Sequence, residues 1–578
     1  MKTILRIDSR TKKITSEIAS EELRRICGRQ FIAHILSQEV EPTCEPLGRF
    51  NKFIISQGWF SDTNLSTAGK ISMGGKSPLT GGIKESNTGG FFGKRLSKLG
   101  IKGIIIEDIP ANPIPTRILY ISGRDISLID APELQYLLVS ETIQKLRSKF
   151  QKDIGILCIG PAGERLMSSA GIACPDDKDI QVRYAGRGGL GALLGSKGIK
   201  AVVVNADEAV PQEVADSALL KETIRDVARL LMEDPKSKNR KLYGTLDILA
   251  VANQTGLMPT RNFSSGSFEN VDKITGPGFS SLVAERGGIG RSGTPCVPGC
   301  TIQCSNVFAD EKGENKIVAS LQYESVVMLG PNLGIGDVDT IGELNKLCNE
   351  VGLDSIETGA ALGVAMEAGV AEFGDGKAAS DMIQQIGEGT YLGRILGNGA
   401  KFTGQAFGIL RVPAIKGQAM PAYDPRGLKG NGVLYATSTM GADHTAGNAF
   451  ETLRTTNPLA KENQVFNSRQ LQIRAALLDT MGVCIFIRPA FVKNPNLLVR
   501  LFKAKYGWDI TYPEIRKLGA QILEMEREFN HRAGVSEHYH RIPEFMRDEP
   551  LPPNNSVFDI SQEELEGIWD IPIKDDFF

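Results

Sequence analysis

Three cysteines fall within nine residues, Cys296-Val297-Pro298-Gly299-Cys300-Thr301-Ile302-Gln303-Cys304, and a fourth, Cys484, closes Asp479-Thr480-Met481-Gly482-Val483-Cys484 far downstream. Thiolates this close in sequence suit a compact metal centre. An iron–sulfur cubane takes one thiolate per iron, so three from one loop and one from a distant segment make a full set. Pro298 and Gly299 resist regular helix, which argues that the loop winds around something. A structural zinc site and buried spare thiols answer to the same spacing. Two glycine-rich stretches carry a second kind of chemistry. From Gly69 to Gly93 the chain reads GKISMGGKSPLTGGIKESNTGGFFG, leaving many backbone N–H groups to cradle anions, with Lys70, Lys76, Asn87 and Thr88 as side-chain donors; a flexible surface loop is the plainer reading. Arg183-Tyr184-Ala185-Gly186-Arg187-Gly188-Gly189-Leu190-Gly191 sets two arginines beside four glycines, and guanidinium forks pair with phosphate oxygens. It follows neither the P-loop nor the strand–GxGxxG–helix pattern. For proton transfer, Glu324 stands at the lip of the apolar run Val326-Val327-Met328-Leu329 as a general acid or base, or as a capping or paired carboxylate. Among the five histidines, His444, beside Asp443 and among small residues, is the most site-like, although a structural histidine also fits. His538 and His540 read as a solvated loop near the C-terminus.

The elements that must position these groups follow from periodicity. Met1–Asp8, Ile118–Ile121, Ile154–Ile159 and Ala201–Val204 read as strands. Lys221–Glu233, Asp339–Val351, Thr358–Ala371 and Ala378–Leu392 carry helical periodicity, and Glu350–Asp354 reads as a helix end with a glycine stop. Gly160–Glu164 reads as a tight structural turn. Boundaries near Glu208–Pro211 and Arg411–Gly417 give an α+β chain: a β-rich N-terminal domain, residues 1–207, then two mostly helical domains, 208–414 and 415–578. The 578 residues are too many for one core. A net charge of -2 gives no electrostatic reason to expect nucleic acid or an anionic membrane as partner. No apolar run approaches the ~20 residues of a membrane span, and the start lacks the apolar core of a secretory signal. Nine cysteines, an odd and mostly scattered set, suit a reducing cytoplasm rather than a disulfide framework. Ile571-Pro572-Ile573 and Phe577-Phe578 are placed to dock as a tail.

Taken together, these stretches resemble the aldehyde ferredoxin oxidoreductase family of tungsten-pterin enzymes over nearly the whole chain. The most specific pieces are Lys76–Gly81, Ser86–Gly90, Gly160–Glu164, Ala185–Gly189, Tyr323–Ser325, Pro421–Gly427 and the Asp-x-x-Gly-Val-Cys segment ending at Cys484. The resemblance implies a β-rich base under a bis-pterin tungsten or molybdenum cofactor, covered by two helical domains. It implies one [4Fe–4S] cluster on Cys296, Cys300, Cys304 and Cys484. It implies Mg²⁺ bridging the pterin phosphates through Asn87 and the Tyr184 carbonyl. Pterin contacts carry over onto Gly89, Arg183, Gly186, Arg187, Leu353, Asp354, Asp479 and Val483, and Lys70 falls between pterin and cluster.

Several positions depart from the family pattern. The cysteine loop is one residue longer than the usual Cys-x2-Cys-x3-Cys. Lys70 stands where an Arg is usual, which keeps the cation and loses the fork. Asn349 replaces an Asp, and Met440 and Ala446 replace an Arg and a Lys. Glu343 fits the Glu of a subunit-bridging iron found in some members, with no matching His. The implied activity is oxidation of an aldehyde to a carboxylic acid, with Glu324 and His444 as the proton-handling pair. Electrons would leave through the cluster to ferredoxin or a ferredoxin-like partner subunit. A homodimer or a larger complex is the implied assembly. Reduction of an aryl thioester by a benzoyl-CoA-reductase-like subunit is the alternative within the family. A non-catalytic metal-binding electron-transfer protein is the alternative outside it.

Overall fold

Strand β1 (Thr3–Asp8) shows how the N-terminal part is layered. Successive side chains on a strand point to opposite faces. Leu5 and Ile7 therefore enter one core while Ile4 enters another. The computed structural model describes residues 2–150, 153–206, 208, 210 and 213–574. Its first sheet has the order β2-β1-β6-β3-β4-β5, from β2 (Ile14–Ile18), β3 (Phe53–Gln57), β4 (Ile71–Lys76), β5 (Ile83–Thr88) and β6 (Ile101–Glu107). Only the β1–β6 pairing is parallel. The second sheet has the order β11-β10-β9-β12-β7-β8, from β7 (Arg117–Ile121), β8 (Ile126–Asp130), β9 (Gly155–Cys158), β10 (Ile172–Pro175), β11 (Val182–Ala185) and β12 (Ile199–Val204). One apolar core takes Phe53, Ile55, Ile104 and Ile106 from the first sheet and Leu119, Leu157 and Val202 from the second. On the outer faces, helix Gly28–Glu39 packs on Ile54 and Ile105, and helix Val139–Phe150 packs on Ile118 and Ile156.

The first glycine-rich stretch corrects its sequence reading. It is not a loop with free N–H groups but the hairpin β4–β5, paired from Ile71↔Thr88 to Lys76↔Ile83. Its glycines mark close approach. A Cβ on Gly74 would stand 2.4 Å from Ile32 Cγ2, and one on Gly75 2.3 Å from Leu193 Cδ2, so helices pack on both faces of the hairpin.

Beyond residue 213 the chain is mostly helical, with a three-stranded sheet, Arg291–Thr294, Ser305–Ala309 and Lys316–Ala319, and a small hairpin, Ala414–Ile415 with Gln418–Ala419. Helix Val338–Val351 ends on Gly352 at φ 81°, and Asp354 caps the next helix, Ser355–Glu367, as the glycine stop implies. The expected helix Ala378–Leu392 is two helices, Gly376–Glu388 and Tyr391–Gly397, parted by Gly389 at φ 77°. Gly160–Glu164 holds a one-turn helix, Pro161–Glu164, and a Cβ on Gly160 would meet the Val351 carbonyl at 2.3 Å. His540 is a second correction: it is buried, at 5% exposed, while its neighbour His538 is solvated. The tail Ile571–Ile573 docks through Gln470, which donates to the Pro572 carbonyl at 2.9 Å. Phe577 and Phe578, and Ala209 and Pro211 of the first linker, lie outside the described residues. Among the described residues no single helix is long and apolar enough to cross a membrane.

Candidate active site and metal centre

The end of β5 seats the cysteine loop. Gly90 N–H donates to the Cys296 carbonyl at 2.9 Å, and a Cβ on Gly89 would press to 3.0 Å from that oxygen, so a side chain there would crowd the two segments apart. The Ser66 and Thr301 hydroxyls meet at 2.8 Å. The fourth cysteine is held from the same side: Cys484 N–H donates to Thr67 Oγ1 at 3.2 Å, and the N–H groups of Gly69 and Lys70 both donate to the Gly482 carbonyl. Val297, Cys300 and Ile302 pack into an apolar shell with Trp59, Phe60, Leu477 and Val483. Burial and the neighbouring Cys296 push the Cys300 thiol up to about 12. Burial, Cys296, Cys484 and Cys300 push Cys304 far above its ordinary range, and Arg183 partly offsets them. All four sulfurs thus share one electrostatic neighbourhood, where thiolates persist only with cations among them. Among the described residues no three His, Cys, Asp or Glu side chains converge as ligands of one metal ion. A cubane sets its four thiolates on four separate irons and asks for wider spacing.

A buried chain of polar contacts runs from this loop into the N-terminal domain. Lys70 Nζ donates to Asn87 Oδ1 at 2.6 Å, Asn87 Nδ2 donates to Asp479 Oδ1 at 3.0 Å, and Asp479 Oδ2 lies 3.2 Å from Arg29 Nη1. Arg29 forks onto Glu526 with two 2.7 Å bonds, and Thr439 donates to the same carboxylate at 2.6 Å. Burial and Asp479 push the neighbouring Glu85 carboxyl up to about 7. Burial raises Asp479 as well, against the pull of Arg29 and Lys70.

The second glycine-rich stretch lies at the end of β11, where each polar side chain crosses to another part of the chain. Arg183 reaches Ser320, and Tyr184 OH donates to the Asn349 carbonyl at 2.6 Å. Arg187 pairs with Asp354 at 3.1 Å and donates to the carbonyls of Ala419, at 2.7 Å, and Ala442. Leu353 bridges to Ala170. Gly186 keeps one face open: a Cβ there would meet only Asp354, at 3.9 Å.

Glu324 lies in the first turn of helix Tyr323–Leu329. Its Oε2 accepts from Ala422 N–H at 2.9 Å, and its Oε1 faces His444 Nε2 at 3.4 Å. Both side chains keep a little exposure, 13% and 21%, amid buried neighbours. Glu324 Oε1 and His444 Nδ1 are buried without a hydrogen-bond partner. Burial raises the Glu324 carboxyl above its ordinary range, with His444 partly offsetting it. Burial would raise Asp443 too, but Lys84, at 2.7 Å, and Arg187 hold it far below the usual carboxylate range. Tyr423 walls the site, its ring 5.2 Å from Tyr323 and 6.4 Å from His444. Sequence reasoning singled out Glu324 and His444 but missed Arg29, Lys84 and Glu526, whose partners lie hundreds of residues away, and gave Tyr423, close to His444 in sequence, no role at the site. Glu343 sits on an exposed helix face with Lys346 at 3.1 Å.

The residues present fit a large anionic cofactor. Gly186 is an open cradle, Thr88 Oγ1 is a buried hydroxyl without a partner, Lys70 stands beside Asn87, and Arg183 brings positive charge to Cys304.

Comparison with known proteins gives the same picture. The profile "Aldehyde ferredoxin oxidoreductase, N-terminal domain" matches residues 4–206, and "Aldehyde ferredoxin oxidoreductase, domains 2 & 3" matches residues 222–567. The chain is similar to the tungsten-containing aldehyde ferredoxin oxidoreductase of Pyrococcus furiosus, 31% identical over 95% of this chain and 91% of the relative. The same description belongs to a relative from Pyrococcus abyssi, 32% identical over 95% and 92%. An aliphatic sulfonate oxidoreductase, WOR-like subunit, of Pyrococcus furiosus is 26% identical over 91% and 85%. Among solved structures, the active-site complex BamBC of benzoyl coenzyme A reductase with 1,5-dienoyl-CoA superposes with a TM-score of 0.81, covering 99% of this chain and 94% of that one, at 16% identity; the likeness is one of fold. The two profiles together span almost the whole chain, and the chain belongs to the aldehyde ferredoxin oxidoreductase family.

Proposed function

We propose that this protein is a tungsten-pterin oxidoreductase that converts an aldehyde to a carboxylic acid. Aldehyde and water give a carboxylate, three protons and two electrons, so the site must bind the carbonyl, take up protons and pass electrons singly to ferredoxin or a partner subunit. The pterin-bound metal supplies the redox chemistry when present, and the protein supplies position, protons and exclusion of bulk water. Gly89, Arg183, Gly186, Arg187, Leu353, Asp354, Asp479 and Val483 would hold the pterins. Asn87 and the Tyr184 carbonyl would hold Mg²⁺, an oxygen-seeking cation. Cys296, Cys300, Cys304 and Cys484 would hold a [4Fe–4S] cluster, with Lys70 between it and the pterin. Residues 1–207 form the base in this reading, and 208–414 and 415–578 form its cover.

The observation that carries the proposal is the Glu324–His444 pair, face to face at 3.4 Å, nearly buried, with Glu324 Oε1 and His444 Nδ1 making no hydrogen bond. Glu324 is placed to accept a proton from an attacking water, and His444 to share it. Burial holds the Glu324 carboxyl above its ordinary range, which favours its taking up a proton. The test is to purify the protein anaerobically, assay it for W, Mo, Fe and Zn, and compare it with Glu324→Gln using a viologen acceptor. The expected result is one tungsten or molybdenum and about four iron per chain, with turnover lost and metal retained in the variant. Full activity in Glu324→Gln, or zinc alone in the purified protein, overturns the proposal. The aryl-thioester alternative has a likeness of fold behind it and no observation of its own at the site.

A further inference from the structure

Cys27 belongs to none of the sites above. It stands at the N-cap position of helix Gly28–Glu39, yet its side chain makes no capping bond. The sulfur turns to the first sheet instead. Lys102 Nζ, on β6, donates to Cys27 Sγ at 2.9 Å and to the Arg24 carbonyl at 2.9 Å. Both side chains are buried, Cys27 at 4% exposed and Lys102 at 2%. Among the described residues Cys27 is the one cysteine whose sulfur accepts a hydrogen bond from a lysine, and Lys102 forms no ion pair. Cys158 and Cys174, by contrast, are sealed in apolar cores, where burial pushes both thiols up to about 12.

The pair sits at a joint. Gly28, the next residue, has φ 48°, and a Cβ there would press to 3.1 Å from the Asp479 and Thr480 carbonyls. Gly28 N–H donates to Ser56 Oγ at 3.1 Å, and Trp59 N–H donates to the Thr480 carbonyl at 3.2 Å. Arg29, two residues after Cys27, contacts Asp479 and forks onto Glu526. The helix start, the first sheet and the segment leading to Cys484 therefore meet beside Cys27 and Lys102. Other charged groups stand close. Lys2 lies in the field of Asp62, Cys27, Lys102 and Lys505, and Lys505 holds Asp62 at 2.6 Å. The sulfur also shares an apolar core with Trp59, Phe60 and Met481. Such a core admits a small apolar oxidant and resists a charged one.

Thiols are oxidised stepwise, and the first oxidised form of sulfur is captured by a neighbouring nucleophile within reach. Here the neighbour is an amine nitrogen at hydrogen-bond distance. One oxygen atom set between the two joins them with little movement of either chain. A thiol, an ammonium and one dioxygen give an S–O–N bridge, one water and one proton. The S–H bond and one N–H bond are replaced by S–O and O–N bonds, and their hydrogens leave in the water. A second nitrogen proton goes to solvent. Sulfur and nitrogen each give up an electron pair, and dioxygen takes both.

We propose that Cys27 and Lys102 form a covalent modification site, where dioxygen joins them through one oxygen atom and ties the start of helix Gly28–Glu39 to β6. The bridge fastens this joint while dioxygen is present, and a dithiol releases it by returning thiol, amine and water. The site is independent of what the catalytic pair acts on.

The test starts from the full chain purified anaerobically with its metals. One portion is exposed to air and one is not; both are denatured, alkylated with iodoacetamide, digested and weighed by mass spectrometry. The aired portion should contain a linked peptide pair holding Cys27 and Lys102, heavier than the separate peptides by one oxygen and lighter by two hydrogens, with loss of alkylated Cys27. A dithiol added before alkylation should restore it. Cys27→Ser and Lys102→Arg should each abolish the linked pair, while Lys2→Arg should keep it. Aired wild-type protein should melt higher than aired Cys27→Ser, and the dithiol should close that gap; both chains meet the same oxygen, so damage to the metals is common to both. Cys27 recovered from air as a free thiol or a sulfinic acid, a link to Lys2, a link without the added oxygen, or equal melting of the two aired proteins overturns the proposal.

Discussion

The two polar regions of this molecule are built on opposite plans. Along the network from Lys70 through Asn87, Asp479 and Arg29 to Glu526 and Thr439, each member contacts the next, with Arg29 forked onto one carboxylate and touching a second. At the Glu324–His444 pair, a carboxylate oxygen and an imidazole nitrogen are buried without a partner. A saturated buried network fixes positions, because breaking any link strands its neighbour. An unsaturated pair keeps bonding capacity for something that arrives later. The difference separates the groups that hold from the groups that react.

The sharpest way to break this contrast is at the reacting pair. Glu324→Gln should lower turnover by about 10³-fold, within the range of general acid–base catalysis, and leave the melting temperature unchanged or raised, since a neutral amide is easier to bury than a carboxylate. A large loss of stability there would make Glu324 a holding residue instead. In the saturated network the pattern should reverse. Arg29→Met strands Glu526 and Asp479 and should destabilise the protein by about 3–5 kcal/mol, as for other broken buried pairs. Thermal inactivation of the variant reads this, and Glu526→Leu added to it should recover part of the loss. A shift of under 1 kcal/mol would show the network to be dispensable.

A smaller effect should appear in the pH dependence. The proton-accepting form of Glu324 exists only above its raised pKa, so kcat/KM should fall with acid at a pH above the ordinary 4.5. Between 4.5 and that raised value the folded chain holds a proton that the unfolded chain has lost, so Glu324 makes stability decline as pH rises through the window. Glu324→Gln should remove that decline. The smallest change should come from Lys70→Met, which deletes one contact to Asn87 and leaves the Asn87–Asp479 link in place; a drop of a few-fold in electron transfer to the viologen, with metal content unchanged, is the expected reading.

Local pattern made some of this legible and hid the rest. The cysteine loop, Glu324 and His444 stand out because their residue types are scarce or oddly spaced. The helix stop at Gly352 and the cap at Asp354 are written in adjacent residues. The β4–β5 hairpin was hidden because glycine also signals loops. Its true reason, Ile32 and Leu193 pressing on either face, lies outside the segment. Gly389 parts two helices whose joint periodicity reads as one. Arg187 has the composition of a phosphate fork, yet it also ties the N-terminal domain to Asp354, Ala419 and Ala442, partners that no local pattern announces. His540 sits in a polar stretch and is buried by tertiary packing alone.

The Arg29–Glu526 bridge spans 497 residues of chain, and that separation sets a clock. At about 5–20 residues per second of synthesis, helix Gly28–Glu39 exists for roughly 25–100 s before its carboxylate partner is made. Until Asp479 is made the N-terminal helix carries a guanidinium with neither of its acids, and until Glu526 is made it lacks the carboxylate it forks onto. Locking this helix to the rest is therefore a late event in making this protein. A chain cut short before Glu526 keeps its cysteine loop, its glycine hairpin and its catalytic pair, yet lacks the bolt that locks the N-terminal helix to the rest.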